Sequence, residues 1–385
     1  MYDVLVVGAG SAGSHLAARM AALGYRVMVF EEHSRAGDAV CCTGIVGKEC
    51  LDTFPVSSEA ILRVVRSARM ISPSGMTLRA DTDSTVAYIL DRGLFDSCLA
   101  MKAQEAGADH LWGSRVKNVL IGEDSVKVEL DNSPKSYEGK TVVIASGFHS
   151  RLTERVGLGR VHDFAAGAQV EVASEEVDEL EVYFGRHVAP GLFGWLVPTS
   201  EGRARVGLLS RRHPGEHLRG FLSELAEQGK IMPDGAKVTY GGVPLRTLAK
   251  TYRERTIVVG DAAGHVKPTT AGGIYYGLLC AEDAVDTLDE ALSTGDFRAS
   301  TFARYERMWR TRLGGELRVG RWARWFFEHC SDERIDRGFQ ILKSKDIHET
   351  LLNSPDFSFD WHRRLILKSI RLAGVRGVFQ MLRPG

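Results

Sequence analysis

Val4-Leu5-Val6-Val7-Gly8-Ala9-Gly10-Ser11-Ala12-Gly13 sets the class of fold. Its four leading apolar residues do not alternate with polar ones, as expected of a parallel strand buried on both faces. The run passes directly into G-x-G-x-x-G. A helical pattern follows, with Leu16, Ala17, Met20 and Ala21 on one side and Gly24 at its end. Val27-Met28-Val29-Phe30 then reads as a second buried strand, and Glu31 stands 18 residues after Gly13. Each part has a mechanical reason. Gly8 permits the tight turn, Gly10 lets the backbone approach a pyrophosphate, and Gly13 lets helix and strand pack closely. The helix start, with Ala12 in its first turn, offers free N–H groups and a positive dipole to phosphate. Glu31 accepts hydrogen bonds from a ribose diol, and Glu32 is the neighbouring candidate for that role. The expectation is an α/β chain built on a Rossmann-type dinucleotide-binding domain.

The rest of the composition agrees. A chain of 385 residues suggests about two or three domains. With 44% hydrophobic and 25% charged residues it is neither disordered nor fibrous. Lys and Arg number 49, as do Asp and Glu, so no basic excess points to nucleic acid. No apolar run is long enough to span a bilayer. The chain enters its first strand without a basic, signal-like segment, so a cytoplasmic location is expected. The six cysteines include no C-x-x-C pair and have no histidine cluster beside them, so neither a metal site nor a disulfide framework is expected.

A second cofactor signal comes late. Thr256-Ile257-Val258-Val259-Gly260-Asp261 is a buried strand ending in Gly-Asp, followed by Pro268-Thr269-Thr270-Ala271-Gly272-Gly273-Ile274 and a helix. This resembles the second fingerprint of FAD enzymes of the p-hydroxybenzoate hydroxylase type. The resemblance implies that Asp261 holds the ribityl chain and that Pro268, Gly272, Gly273 and Ile274 lie along the flavin. Helix-terminal N–H groups there would stabilise an anionic reduced flavin. Val142-Val143-Ile144-Ala145-Ser146-Gly147 resembles the A-T-G strand of the same enzymes, which places Ser146 and Gly147 at the cofactor. Asp91-Arg92-Gly93-Leu94-Phe95-Asp96 resembles their R-x-x-(F/L)-D element, which implies a cofactor-holding role for Arg92. Val116 is placed beside the cofactor as well. FAD is therefore the expected cofactor.

The cofactor domain reads as discontinuous, with pieces at 1–55, 86–165 and 250–295. Segments 56–85 and 166–249 carry alternating runs and a hairpin around Pro73-Ser74-Gly75, as expected of an inserted substrate-binding β-sheet. Residues 296–385 read as a helical C-terminal region.

Pro190-Gly191-Leu192-Phe193-Gly194-Trp195-Leu196-Val197-Pro198 is similar to the P-x-x-Y-x-W-x-F-P motif of the geranylgeranyl reductase family, with Phe193 and Val197 replacing its Tyr and Phe. Tyr88 to Asp96 and Val259 to Ile274 match the same family in order, and the resemblance spans about residues 1–320. It implies FAD-dependent reduction of isolated C=C bonds in prenyl chains. An isolated alkene has no carbonyl to take up charge, so hydride and proton must arrive together, in an apolar site with an acid at hand. Phe193 and Trp195 suit the apolar wall, and Tyr275 is a candidate substrate contact. Cys42, in Cys42-Thr43-Gly44, takes the place of the family's turn cysteine, with Thr43 and Gly44 beside the cofactor. Its thiol is either a proton donor or a flavin-facing contact. Ala271 stands where the family has a glycine. His265 and Lys267 either tune the flavin or face solvent.

Two further expectations concern partners. A single dinucleotide fingerprint, taken by FAD, leaves NAD(P)H to bind transiently or a ferredoxin to deliver electrons. Arg363, Arg364, Lys368, Arg371, Arg376 and Arg383 follow Trp361 with no acidic residue. Arg364, Lys368 and Arg371 share one helical face and Ile366, Ile370 and Ala373 the other, a pattern suited to peripheral membrane contact. The Trp-rich stretch Arg318 to Phe327 could join it. A flavin monooxygenase or halogenase of the same superfamily, and a non-catalytic flavin- or lipid-binding protein, are the alternatives.

Overall fold

The computed structural model describes residues 1–382 apart from 39, 132, 176, 233 and 345, with side chains of the last helix described as far as 373. Two sheets and a small third one organise it. The first strand, Tyr2–Val7, pairs in parallel with Val27–Phe30 on one side and with Ser136–Ile144 on the other. Asp109–Leu111 and Thr256–Val258 extend the parallel array at either end. Antiparallel strands Tyr252–Arg253, Val116–Ile121 and Val126–Leu130 complete eight.

The unbroken apolar run of the first strand follows from burial on both faces. Val4 and Val6 pack under the helices Ser11–Ala22, Arg92–Glu105 and Ile274–Thr294. Leu5 and Val7 point the other way, onto Val119, Val126 and Val128 of the antiparallel strands. The 30-residue helix Ala299–Glu328 adds Phe302, Tyr305, Trp309 and Leu313 to the helical side, so the start of the C-terminal region is part of this core.

The second sheet has seven strands, in the order Thr239–Pro244, Phe164–Ala173, Arg203–Ser210, Gly194–Pro198, Leu180–Tyr183, Ser67–Ile71, Thr77–Asp81. Alternation along its strands divides two apolar layers. Leu196, Val206 and Leu208 face the helix Pro214–Glu227 through Leu218, Phe221 and Leu225. Trp195, Val197 and Leu209 face inward, toward the cofactor sheet. The hairpin around Pro73-Ser74-Gly75 is the antiparallel pair at one edge. Ile61–Val65 instead joins Ile45–Gly47 and Ala87–Leu90 in the small third sheet.

The last helix, Arg363–Leu382, packs on Ala299–Glu328, Asp332–Ser344 and Ile347–Leu352. Arg364 reaches Asp356 at 3.4 Å and Lys368 reaches Ser354 at 2.5 Å, while Leu367 and Leu372 of the same helix stay exposed. The side chain of Arg376 and all of Arg383 lie outside the described residues. No helix among the described residues is long and apolar enough to cross a membrane.

Candidate functional site

Val7, Phe30, Ile144 and Val258 end adjacent parallel strands on the same side. The chain beyond their carboxyl ends surrounds a cleft of about 570 Å³, within the usual range of about 300–1,000 Å³ for ligand sites. In open α/β sheets this is where ligands bind.

The turn after the first strand is shaped by two close approaches. Gly8 has φ +105°, and a Cβ there would collide with the carbonyl oxygen of Ala145. A Cβ on Gly13 would collide with the carbonyl oxygen of Gly8. By contrast, a Cβ on Gly10 would meet nothing within 4 Å, because Gly10 faces the open cleft. Ser14 Oγ donates to Ala9 O at 2.9 Å and steadies the loop. The helix Ser11–Ala22 has no side-chain cap at Gly10, so its first N–H groups face the cleft as phosphate donors. Glu31 accepts from Ala9 N at 2.8 Å and from His33 N at 3.0 Å, which holds its carboxylate at the cleft wall. Glu32 and Val116 line the same end.

Further in, Arg92 pairs with Asp96 at 2.8 Å and leaves its buried Nε without a partner among the described residues. Burial works against its charge, but Asp96 and the Cys42 sulfur outweigh it and hold the guanidinium above its usual pKa. Asp261 stands across from it, its carboxyl pushed up by burial and held back by Arg92. Ser146 Oγ is likewise buried and without a partner among the described residues, beside Gly147. Gly273 and Ile274 place the start of the 21-residue helix Ile274–Thr294 at the cleft. Orphaned donors, an uncapped helix start and an open glycine together suit FAD: Gly10 and the first helix would hold the diphosphate, Glu31 the ribose and Asp261 the ribityl chain, with Arg92 as a further cofactor-holding group.

Cys42 lines the cleft, and its Sγ accepts from Gly44 N at 3.4 Å. Gln169 holds the Cys42 carbonyl at 3.2 Å. Val243 and Ala271 close that end. Ala271 has φ +58°, a left-handed conformation that L residues enter only at a cost.

Other expected residues lie just behind the wall. Gly13 packs helix on strand. Thr43 holds Arg205 through its carbonyl at 3.0 Å, Gly44 packs on Leu90, Pro268 packs on Gly320, and Gly272 lies against the Lys267 stem. Phe193 and Trp195 are 6.1 Å apart, centroid to centroid, in the inner apolar layer that also holds Val243 and Ala271. Tyr275 is not at the cleft. It is buried, donates to Glu49 at 2.9 Å and packs on Phe54 and Trp361. His265 and Lys267 do not face solvent: both are buried. Lys267 pairs with Asp360 at 2.7 Å, tying the flavin loop to the segment before the last helix. Sequence reasoning missed that pair, and it missed Arg115, Lys117, Arg151 and Arg155 at the cleft mouth. The Arg115-x-Lys117 alternation and the four-residue step from Arg151 to Arg155 were the available signals.

Fold and cleft together define an FAD-dependent oxidoreductase of the Rossmann type. The model for the pyridine nucleotide-disulphide oxidoreductase family matches residues 2–180. A digeranylgeranylglycerophospholipid reductase of Methanothermobacter thermautotrophicus is 32% identical, over 90% of this chain and 93% of its own. A solved geranylgeranyl bacteriochlorophyll reductase-like protein of Thermoplasma acidophilum superposes with a TM-score of 0.86 at 25% identity, covering 99% and 98% of the two chains. The halogenase PltM, solved with phloroglucinol and FAD, gives 0.68 at 14% identity, covering 97% and 87%; that likeness is one of fold. The chain belongs to the geranylgeranyl reductase family of FAD-dependent oxidoreductases.

Proposed function

We infer that this protein reduces isolated C=C bonds in the prenyl chains of a lipid. One observation carries the reading: Val243 and Ala271 belong both to the cofactor cleft and to the buried apolar layer of Phe193, Trp195, Leu209 and Leu245. A hydrocarbon chain can approach the flavin end only along such a surface, which excludes water. Reduced FAD, when bound, supplies the hydride. The proton falls to the protein, and of the two thiols that line the cleft, Cys41 and Cys42, Cys42 is the proposed donor, because it takes the place of the family's turn cysteine. Gly44 N and the Arg92 guanidinium face the sulfur once its proton has left. Phe193 and Trp195 are proposed to orient the chain. Electrons would come from NAD(P)H or a ferredoxin, and the last helix with its arginines would rest on an anionic membrane surface.

The test is anaerobic. Prereduced holoprotein is mixed with a geranylgeranyl lipid, and flavin reoxidation is followed by absorbance. Reoxidation that depends on the prenyl double bonds is expected. Oxidation by oxygen alone, with no response to any prenyl lipid, would contradict the reading. Cys42→Ser should slow the oxidation by roughly 10²–10⁴-fold, the usual worth of a positioned acid, while FAD stays bound. A rate unchanged by the substitution removes Cys42 from the donor role.

A further inference from the structure

A second cleft, of about 380 Å³, lies where the helix Ala299–Glu328 meets the strand ends at Asp163, Arg211 and Arg246. The chain as a whole is neutral, but this recess is not. Four guanidinium groups, of Arg211, Arg246, Arg321 and Arg324, face the two carboxylates of Asp163 and Glu328, leaving a formal charge of +2. The two acids are already shared. Asp163 takes Arg211 at 2.8 Å, Arg324 at 3.1 Å and Arg246 at 3.2 Å, and Glu328 takes Arg324 at 2.5 Å and Arg211 at 2.6 Å. Arg321 has no carboxylate within 4 Å among the described residues. Burial, then Arg246, Arg318 and Arg310, lower its pKa against the pull of Asp163. Arg324 is 7% exposed, and its Nε has no partner among the described residues. A buried guanidinium donor left free beside an unpaired guanidinium is a built anion site.

The surroundings say what kind of anion. Trp322 and Trp325, one turn apart on the same helix, expose their rings at the rim. Leu209 and Leu245, beside Arg211 and Arg246 in the chain, belong to the apolar layer that reaches Val243 and Ala271 at the cofactor. Gly191, next to Leu192 of that layer, packs on Glu328. A recess of this size, rimmed by indoles and with residues of a hydrocarbon-like layer next to its arginines in the chain, suits one phosphate on an apolar chain better than the broad face of an acidic protein.

We propose that this cleft binds the phosphate end of the prenyl lipid, so that the chain runs from Arg321 and Arg324 along the Phe193–Trp195 layer to the flavin. The proposal rests on the prenyl-reductase reading for its substrate. Its test does not depend on turnover. Binding to the oxidised holoprotein is read by intrinsic tryptophan fluorescence, with geranylgeranyl phosphate, geranylgeraniol and inorganic phosphate as probes, for the wild type and Arg321→Gln. The substitution should weaken geranylgeranyl phosphate about tenfold or more, as expected for a charged hydrogen-bond partner. Binding of geranylgeraniol should change little. Equal loss for both prenyl probes, or loss for neither, overturns the proposal. So does inorganic phosphate binding as tightly as the prenyl phosphate, which would mark a free-anion site. If Arg321→Gln instead slows flavin reduction by NAD(P)H or ferredoxin with prenyl phosphate binding intact, the cleft serves the electron donor and the proposal fails. Arg321-dependent binding in a protein that reduces no prenyl chain would overturn the reductase reading and leave the phosphate site standing.

Discussion

Removing the carboxylate of Asp360 should unlock the flavin loop and cost more than any surface ion pair. Lys267 and Asp360 are 5% and 2% exposed, and their 2.7 Å contact joins segments 93 residues apart. Among the described residues the ammonium has one other close acceptor, Phe359 O at 3.3 Å, and lies 4.7 Å from the Phe359 ring centre. In Asp360→Ala the charge stays buried with those weaker partners. Breaking such a pair from one side costs about 3–5 kcal/mol. Lys48 and Asp52 give the internal control, since they are 50% and 56% exposed at 2.5 Å and should contribute at most about 1 kcal/mol. The assay is urea unfolding of the holoprotein at neutral pH, followed by both far-UV circular dichroism and flavin fluorescence. Asp360→Ala should lower the midpoint several times further than Asp52→Ala. The double variant Lys267→Met, Asp360→Ala should be more stable than Asp360→Ala alone, because no uncompensated charge remains buried. If Asp360→Ala costs no more than Asp52→Ala, or if the double variant falls at least as far as the single one, the pair does not lock the loop.

Three other outcomes follow from single sites. Gly13→Ala should abolish retention of FAD on purification, since its Cβ would strike the Gly8 carbonyl and push the helix start off the diphosphate; a variant that keeps full flavin content would refute this. Ala271→Gly should raise stability by about 1 kcal/mol by relieving the left-handed alanine, less the entropy that glycine loses on folding; calorimetry showing a loss would contradict it. The histidines set an acid limit. Burial, then Arg310, lowers His265 to about 3, and burial, then Lys267, lowers His362 to about 4. Unfolded histidine binds a proton near pH 6.5. Below that pH the unfolded chain takes up protons that the folded chain refuses, so stability falls by up to about 1.4 kcal/mol per pH unit for each residue. That loss should level off near pH 4 for His362 and near pH 3 for His265. Neither ring nitrogen of His265 has a partner among the described residues, so His265→Phe should flatten the profile between pH 6 and pH 4; an unchanged slope would refute its share.

The parts legible in the sequence were those whose physics is local. The run from Val4 to Gly13 carries strand, turn and helix start within ten residues, and each glycine has the close contact or open face its position implied. The late Gly260-Asp261 strand was legible as a buried strand, its cofactor role only through the family resemblance, and the fold brings it to the same cleft. What stayed hidden depends on partners far along the chain. The direction of Tyr275 is set by Glu49 and Trp361, one 226 residues before it and the other 86 after. The burial of Lys267 needs Asp360, and no periodicity near residue 267 announces it. The arginines of the second cleft come from three separated stretches, near 211, 246 and 321, whose convergence only packing reveals.

The central claim is that reduced flavin in this protein hands hydride to an isolated prenyl double bond. Its most direct test is the mass of a geranylgeranyl lipid incubated anaerobically with dithionite-reduced holoprotein. The lipid should gain the mass of two hydrogen atoms for each double bond reduced, in proportion to flavin reoxidised. Fully loaded, fully reduced enzyme that leaves the mass of every prenyl substrate unchanged would contradict it.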